Sequence, residues 1–317
     1  MELGDIRGIY SKMLENIRTV MIGSDEVFSL IFASMLSGGH VLLEDMPGTG
    51  KTTMAKCIAD SIAVDFKRVQ FTPDLMPQDI TGLNIYSQKT EEFEFIPGPV
   101  FTNILLADEI NRATPRTQSA LLEAMEERVV TVDGVGRNLA APFIVIATEN
   151  PIETTGTFPL PEAQLDRFMV KLTMSDLSTE DEVKILQRFI VDAPQKNVAP
   201  VVSAEDIVEA SNIVKNVTVK KAVMDYIVRL SDATRNSEKL FSGVSPRASL
   251  GLMRMSQSFA AISGREYVTP DDVRFLAPYV FAHRIIPSSG STNLEDTRRL
   301  VKDTVDAVEV PVEDWKA

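Results

Sequence analysis

Cysteine, histidine and tryptophan are almost missing from this chain of 317 residues, which holds one Cys, two His and one Trp. A single cysteine, Cys57, excludes an internal disulfide and fits a reducing compartment. It falls on the apolar side of an expected helix, so a buried, inert thiol is expected there. With only His40 and His283 beside it, a zinc site built on soft ligands lacks donors. Each histidine is expected as a partly buried helix or strand-edge residue. Basic charge is also short: 32 Lys and Arg face 45 Asp and Glu, a formal net charge of −13. Such an acidic surface disfavours nucleic-acid binding driven by phosphate neutralisation, though not a local basic pore. No apolar run approaches the roughly 18 residues of a bilayer-spanning helix. Met1-Glu2-Leu3-Gly4-Asp5 does not open like a signal peptide. A cytoplasmic location is expected.

What is present starts with Val41-Leu42-Leu43-Glu44-Asp45-Met46-Pro47-Gly48-Thr49-Gly50-Lys51-Thr52-Thr53. A short apolar run reads as a buried strand, a glycine loop follows, and Thr52 onward reads as a helix. Strand, glycine loop and helix opening on Gly-Lys-Thr form a phosphate cradle. Glycine lets backbone N–H groups turn toward an anion, and the helix N-terminus adds partial positive charge. Pro47 to Thr53 would line it. Lys51 would reach the β- and γ-phosphates and the Thr52 hydroxyl would ligate Mg²⁺. The longer form of the pattern has glycine six residues before the lysine, where this chain has Asp45.

The length suggests two domains, and 44% hydrophobic content is ordinary for a globular protein. Apolar positions at helical spacing predict a helix over 1–20 and another over 26–37. Strands are expected at 69–72, 103–109, 143–148 and 168–172, those at 103–109 and 143–148 with the continuous apolar character of central strands. Helices are expected at 117–127 and 180–190, with a loop or single helical turn over 73–82. Two β-hairpins are expected, one near 82–96 and one near 128–141 with arms 129–132 and 137–140. Strands alternating with helices predict an α/β layer with a mostly parallel sheet over 1–195. Pro194 and Pro200 bracket an expected linker, and helices dominate 196–317, with no strong β pattern.

Three further stretches carry chemistry. Leu105-Leu106-Ala107-Asp108-Glu109 ends a buried strand in two acids. Asp108 is placed to hold Mg²⁺, and Glu109 to polarise a water for attack on the γ-phosphate. Ala147-Thr148-Glu149-Asn150-Pro151 ends the next strand, where the Asn150 amide could bond the γ-phosphate or that water; an Asn-Pro turn is the plainer alternative. Arg167, just before a short strand, suits phosphoryl transition-state charge and can come from a neighbouring subunit; a surface pair with Asp166 or Glu162 competes with that reading. Arg247 sits in the first turn of a helix capped by Ser245, unfavourable against the helix dipole, which suggests a role such as touching phosphate across the domain cleft; a simple exposed arginine is the alternative.

Together these motifs, with Gln118-Ser119-Ala120-Leu121-Leu122-Glu123-Ala124-Met125 and Leu160-Pro161-Glu162-Ala163-Gln164-Leu165-Asp166-Arg167-Phe168, resemble the MoxR family of AAA+ ATPases over about residues 20–290. The resemblance implies a P-loop core with a smaller all-α lid, and makes the two hairpins the family's helix-2 insert and the insert before sensor 1. It implies Walker A at Lys51 and Thr52, Walker B at Asp108 and Glu109, sensor 1 at Asn150, the arginine finger at Arg167 and sensor 2 at Arg247. Ile22 and Gly23 would lie at the adenine, with Ser24 where the family often has Gln. ATP or ADP with Mg²⁺, a homo-oligomeric ring, usually a hexamer, a von Willebrand factor A domain partner and chaperone-like client remodelling follow as expectations. A magnesium-chelatase-like subunit and a nucleotide-gated switch with little turnover remain alternatives.

Overall fold

Continuous apolar runs of four to six residues pair best where helices cover both faces of a sheet. The computed structural model describes residues 1–45, 48–151, 156–174, 178–191, 198–291 and 293–312. Helices α1 (Leu3–Val20) and α2 (Asp25–Leu36) come first, then β1 (Val41–Glu44), α3 (Lys51–Ile62) and β2 (Phe66–Gln70). Next come α4 (Pro77–Thr81), β3 (Gly82–Ser87), β4 (Glu92–Pro97), β5 (Ile104–Asp108) and α5 (Pro115–Glu127). Then follow β6 (Val129–Val132), β7 (Val135–Asn138), β8 (Ile144–Glu149), α6 (Glu162–Leu165), β9 (Val170–Leu172) and α7 (Thr179–Val191). The C-terminal part holds α8 (Ala204–Ile213), α9 (Lys221–Arg235), β10 (Leu240–Ser242), α10 (Pro246–Ile262), α11 (Pro270–Phe281), β11 (Ile286–Pro287) and α12 (Leu294–Ala307).

Five strands form a parallel sheet in the order β2-β5-β8-β1-β9. Strand alternation sends Leu42, Leu105 and Val145 to one face, against Leu121, Leu122 and Met125 of α5. Val41, Leu43, Ile104, Leu106, Ile144 and Ile146 face the other side, against α1, α2 and α3. That second cluster continues into Leu252, Leu276 and Val301, so the C-terminal helices share a core with the N-terminal ones. The strand order brings the carboxyl ends of β1, β8 and β5 side by side, although long stretches of chain separate them. Open α/β sheets bind ligands at such an edge.

The stretch 73–82 holds the short helical turn expected there, α4, with Pro77 in its first turn. Other expectations shift. The strand expected at 69–72 runs earlier, as β2, at the sheet edge. In the second hairpin Asp133 (φ 50°) and Gly134 (φ 79°) make a two-residue turn, which draws its second arm forward to β7. The hairpins meet through Asn84 Nδ2 donating to Asp133 Oδ2 at 2.6 Å and Arg137 lying 3.8 Å from the centre of the Phe95 ring. The C-terminal part is helical apart from the antiparallel ribbon β10–β11. The division at 195/196 and most of the expected linker lie outside the described residues.

Candidate active site

The cradle is built by backbone. β1 ends at Glu44, Gly48 (φ +90°) and Gly50 (φ +93°) take left-handed conformations, and α3 begins at Lys51. These values are natural only to glycine. A Cβ on Gly48 would meet no atom within 4 Å, whereas one on Gly50 would stand 3.2 Å from Met21 Cε. Among the described residues no side chain caps α3, and its first turn holds no acid, so its N–H groups and dipole are left to face the pocket at its start. Lys51 Nζ donates to the Asp45 carbonyl oxygen at 3.0 Å. A pocket of about 330 Å³ brings Gly48, Gly50, Lys51, Thr52 and Thr53 together with Asp108, Glu109 and Asn150. Thr49 adjoins it and is half-buried. Ile22 and Gly23 stand in the turn between α1 and α2, outside the pocket and linked to it through Met21. Pro47 lies outside the described residues.

The two acids are held differently. Asp108 Oδ1 accepts from Thr148 Oγ1 at 2.6 Å, and its Oδ2 accepts from Arg68 Nη2 at 2.5 Å. Glu109 adopts φ 56°, a conformation that costs a non-glycine residue about 1–3 kcal/mol. Its N–H donates to Thr148 Oγ1 at 2.8 Å, and its Oε2 accepts from Gln70 Nε2 at 2.7 Å and Arg112 Nη1 at 3.0 Å. Thr148 thus ties both acids to the strand that carries Asn150. Sequence reading missed Arg68, Gln70 and Thr148. The one available signal was polar side chains inside strands, and their partners depend on β2 pairing with β5 and β5 with β8. The Thr52 hydroxyl and the Asp108 carboxylate are hard oxygen donors suited to Mg²⁺. Among the described residues no group of three His, Cys, Asp or Glu could hold a metal. A cation here would complete its shell from phosphate and water, so the donors fit a nucleotide-borne ion.

Arg167 and Arg247 do not join this pocket. They line a separate cleft of about 320 Å³ with Glu126, Arg128, Arg254 and Arg284. Glu126 pairs with both, directly with Arg247 and at 3.9 Å with Arg167. Arg167 also donates to the Leu122 carbonyl at 2.9 Å. Arg247, expected to touch phosphate across the domain cleft, stands outside the phosphate-loop pocket: α10 packs beside α2 and α11, which aims its first turn at the Arg167 segment. Arg284 anchors that segment. Its Nε donates to Asp166 Oδ1 at 2.7 Å and its Nη2 to the Phe168 carbonyl at 2.6 Å. Burial draws its pKa down to about 10, against the opposing pull of Asp166.

The minor residues behave as their surroundings dictate. Cys57 is buried, and desolvation pushes its thiol up to about 11. His40 is buried, accepts from the Val145 N–H at 2.9 Å through Nδ1, and lies 3.1 Å from the Met125 carbonyl through Nε2. Burial, then the nearby Arg128, pushes its pKa down to about 3.

Residues 40–170 match the ATPase family associated with various cellular activities, and residues 232–304 match the AAA lid domain. The chain is 47% identical to YeaC of Bacillus subtilis over 311 residues, covering 98% of this chain and 97% of that one. It is 43% identical to Chaperone MoxR1 of Mycobacterium tuberculosis over 279 residues, 85% of this chain and 74% of the relative. Protein MoxR of Paracoccus denitrificans is 31% identical over 299 residues, 85% and 86% of the two chains. The crystal structure of a candidate ATPase from Cytophaga hutchinsonii superposes with a TM-score of 0.87 at 35% identity, covering 97% of this chain and 96% of that one. With the glycine cradle, the paired strand-end acids and these relatives, the chain belongs to the MoxR family of AAA+ ATPases.

Proposed function

We propose that the chain hydrolyses Mg·ATP in a homo-oligomeric ring and uses the conformational change on protein clients. Lys51 and the α3 N-terminus hold the β- and γ-phosphates. Thr52 and Asp108 hold Mg²⁺, which supplies charge neutralisation on the phosphates when bound. Glu109 orients and polarises the attacking water, and Asn150 bonds that water or the γ-phosphate. One observation carries the oligomeric reading: Arg167 and Arg247 share a cleft separate from the phosphate pocket of their own chain. A phosphoryl transition state gains most from cations placed at the γ-phosphate. Both arginines therefore serve a neighbour's nucleotide, so a site is complete only between subunits, and a closed hexamer is the proposed assembly. Residues 1–195 then act as the nucleotide-binding core and 196–317 as the lid. The relatives named chaperone support client remodelling, and a von Willebrand factor A domain protein is the proposed partner, in the cytoplasm. Among the described residues no helix is long and apolar enough to cross a membrane.

The test is ATPase turnover against protein concentration, with light scattering with and without ATP. Specific activity should rise with concentration alongside a nucleotide-dependent oligomer. Arg167→Ala and Lys51→Ala should each lose activity, roughly 10³-fold for the arginine, and mixing the two should restore part of it. Flat activity from a monomer, or mixing without rescue, removes the shared site. A chain that binds ATP and never turns it over is a nucleotide-gated switch.

A further inference from the structure

A compact ionic triad sits directly behind the phosphate pocket. Glu44 is the last residue of β1, Glu149 the last of β8, and the two stand opposite each other in the parallel register. Lys171 of β9, beside Leu42 and so two residues lower on the same face, reaches up to both. Its Nζ pairs directly with Glu44 and at 3.3 Å with Glu149. The three side chains are 10%, 16% and 14% exposed for Lys171, Glu44 and Glu149. Two carboxylates side by side on adjacent strands repel each other. A buried charge without a partner is costlier still. The ammonium is what allows both strand ends to stand together.

Those ends are the roots of the site. Glu44 precedes Asp45, whose N–H donates to the Glu149 carbonyl at 3.1 Å and whose own carbonyl accepts from Lys51. Asp45 Oδ2 accepts from the Met174 N–H at 2.9 Å, three residues beyond Lys171. Glu149 precedes Asn150. The C-terminal part grips the same strand: Arg298 of α12 donates to the Lys171 carbonyl at 2.9 Å and lies 3.4 Å from Thr173 Oγ1.

We propose that Lys171 is a positioning residue for ATP hydrolysis, one that sets the spacing between the phosphate loop and Asn150 by clamping Glu44 and Glu149, and that presents this spacing to the lid through Arg298. This rests on the ATPase reading above. The clamp carries one negative charge more than positive. Burial, with a smaller push from Glu44, raises the Glu149 pKa against the pull of Lys171; Lys171 is desolvated too, yet the two glutamates raise its pKa.

Three full-length variants test it: Lys171→Met, Lys171→Arg and Glu149→Gln. Each is assayed for steady-state turnover, affinity for a fluorescent ADP analogue and thermal midpoint, at a temperature well below every midpoint. Wild-type turnover measured alongside separates failure of the ATPase reading from failure of this one. In Lys171→Met, kcat should fall about 10-fold or more, since displacements near 1 Å at a reacting centre cost up to about 10²-fold. ADP affinity should stay within about 3-fold because the cradle is backbone. Lys171→Arg should recover much of the loss. Glu149→Gln separates positioning from stability. It removes the excess buried negative charge, so the thermal midpoint should hold or rise while kcat falls about 3-fold or more. A folded Lys171→Met with wild-type kcat would overturn the proposal, as would a Glu149→Gln whose midpoint rises and whose kcat is unchanged. If Lys171→Met does not fold, Glu149→Gln alone decides.

Discussion

In the proposed hydrolysis, Glu109 is the residue on which the chemistry turns. Its left-handed backbone and its bonds to Gln70 and Arg112 hold the carboxylate in the pocket beside Asp108 and Asn150. An amide in its place keeps the shape and loses the basicity. Glu109→Gln is expected to bind nucleotide with wild-type affinity and to hydrolyse it about 10²-fold more slowly or worse. Steady-state phosphate release with parallel nucleotide titration checks this, and normal turnover in the variant would refute the water-polarising role. Asp108 and Glu109 were legible in sequence because an apolar strand runs straight into them. Lys51 and Thr52 were legible for the same reason, since a continuous stretch of backbone carries the cradle. Arg68, Gln70 and Thr148 were not. Each gains its meaning from a residue about forty positions away, reached only once β2, β5 and β8 pair.

At the level of elements, α11 shows how a helix start is held. Thr269 caps it, and the buried Asp272 returns a bond to the Thr269 N–H at 2.8 Å, completing a capping box. Arg265 then takes both Asp272 oxygens, at 2.7 and 2.5 Å. Asp272→Ala leaves a half-buried guanidinium and two cap donors without their acceptor. The expected cost is about 3 kcal/mol, read as a thermal midpoint lower by several degrees. Unchanged melting would mean that water replaces the carboxylate at no cost. Helices were read from apolar spacing, and α1, α2 and α5 appear close to where that reading put them. Smaller elements escaped. The β10–β11 ribbon is too brief for a period to show, and the two-residue turn at Asp133-Gly134 shifted one hairpin arm.

Across the whole molecule both histidines are buried and neutral. The reading of them as partly buried edge residues understated this. Unfolded, each imidazole takes a proton near pH 6.5. Folded, His40 holds off until about 3, and His283, desolvated beside Arg284, is also lowered well below its ordinary value. The unfolded state therefore binds more protons below pH 6.5, and stability falls as pH is lowered through that window. Each histidine contributes a slope of up to about 1.4 kcal/mol per pH unit. Thermal midpoints measured from pH 7 to 4.5 should drop less steeply in His40→Gln than in the wild type. Parallel slopes would mean that His40 is charged in the folded protein. By itself the sequence determined the α/β class, the cradle, the strand-end acids and the family, because each is written in consecutive residues whose local geometry needs no distant partner. Only the tertiary structure decided that Arg247 stands with Arg167 and outside the phosphate-loop pocket, and that Lys171 joins two glutamates. Those facts depend on helix packing and on a strand order that places β1 between β8 and β9, and neither is encoded within reach of a single stretch of chain.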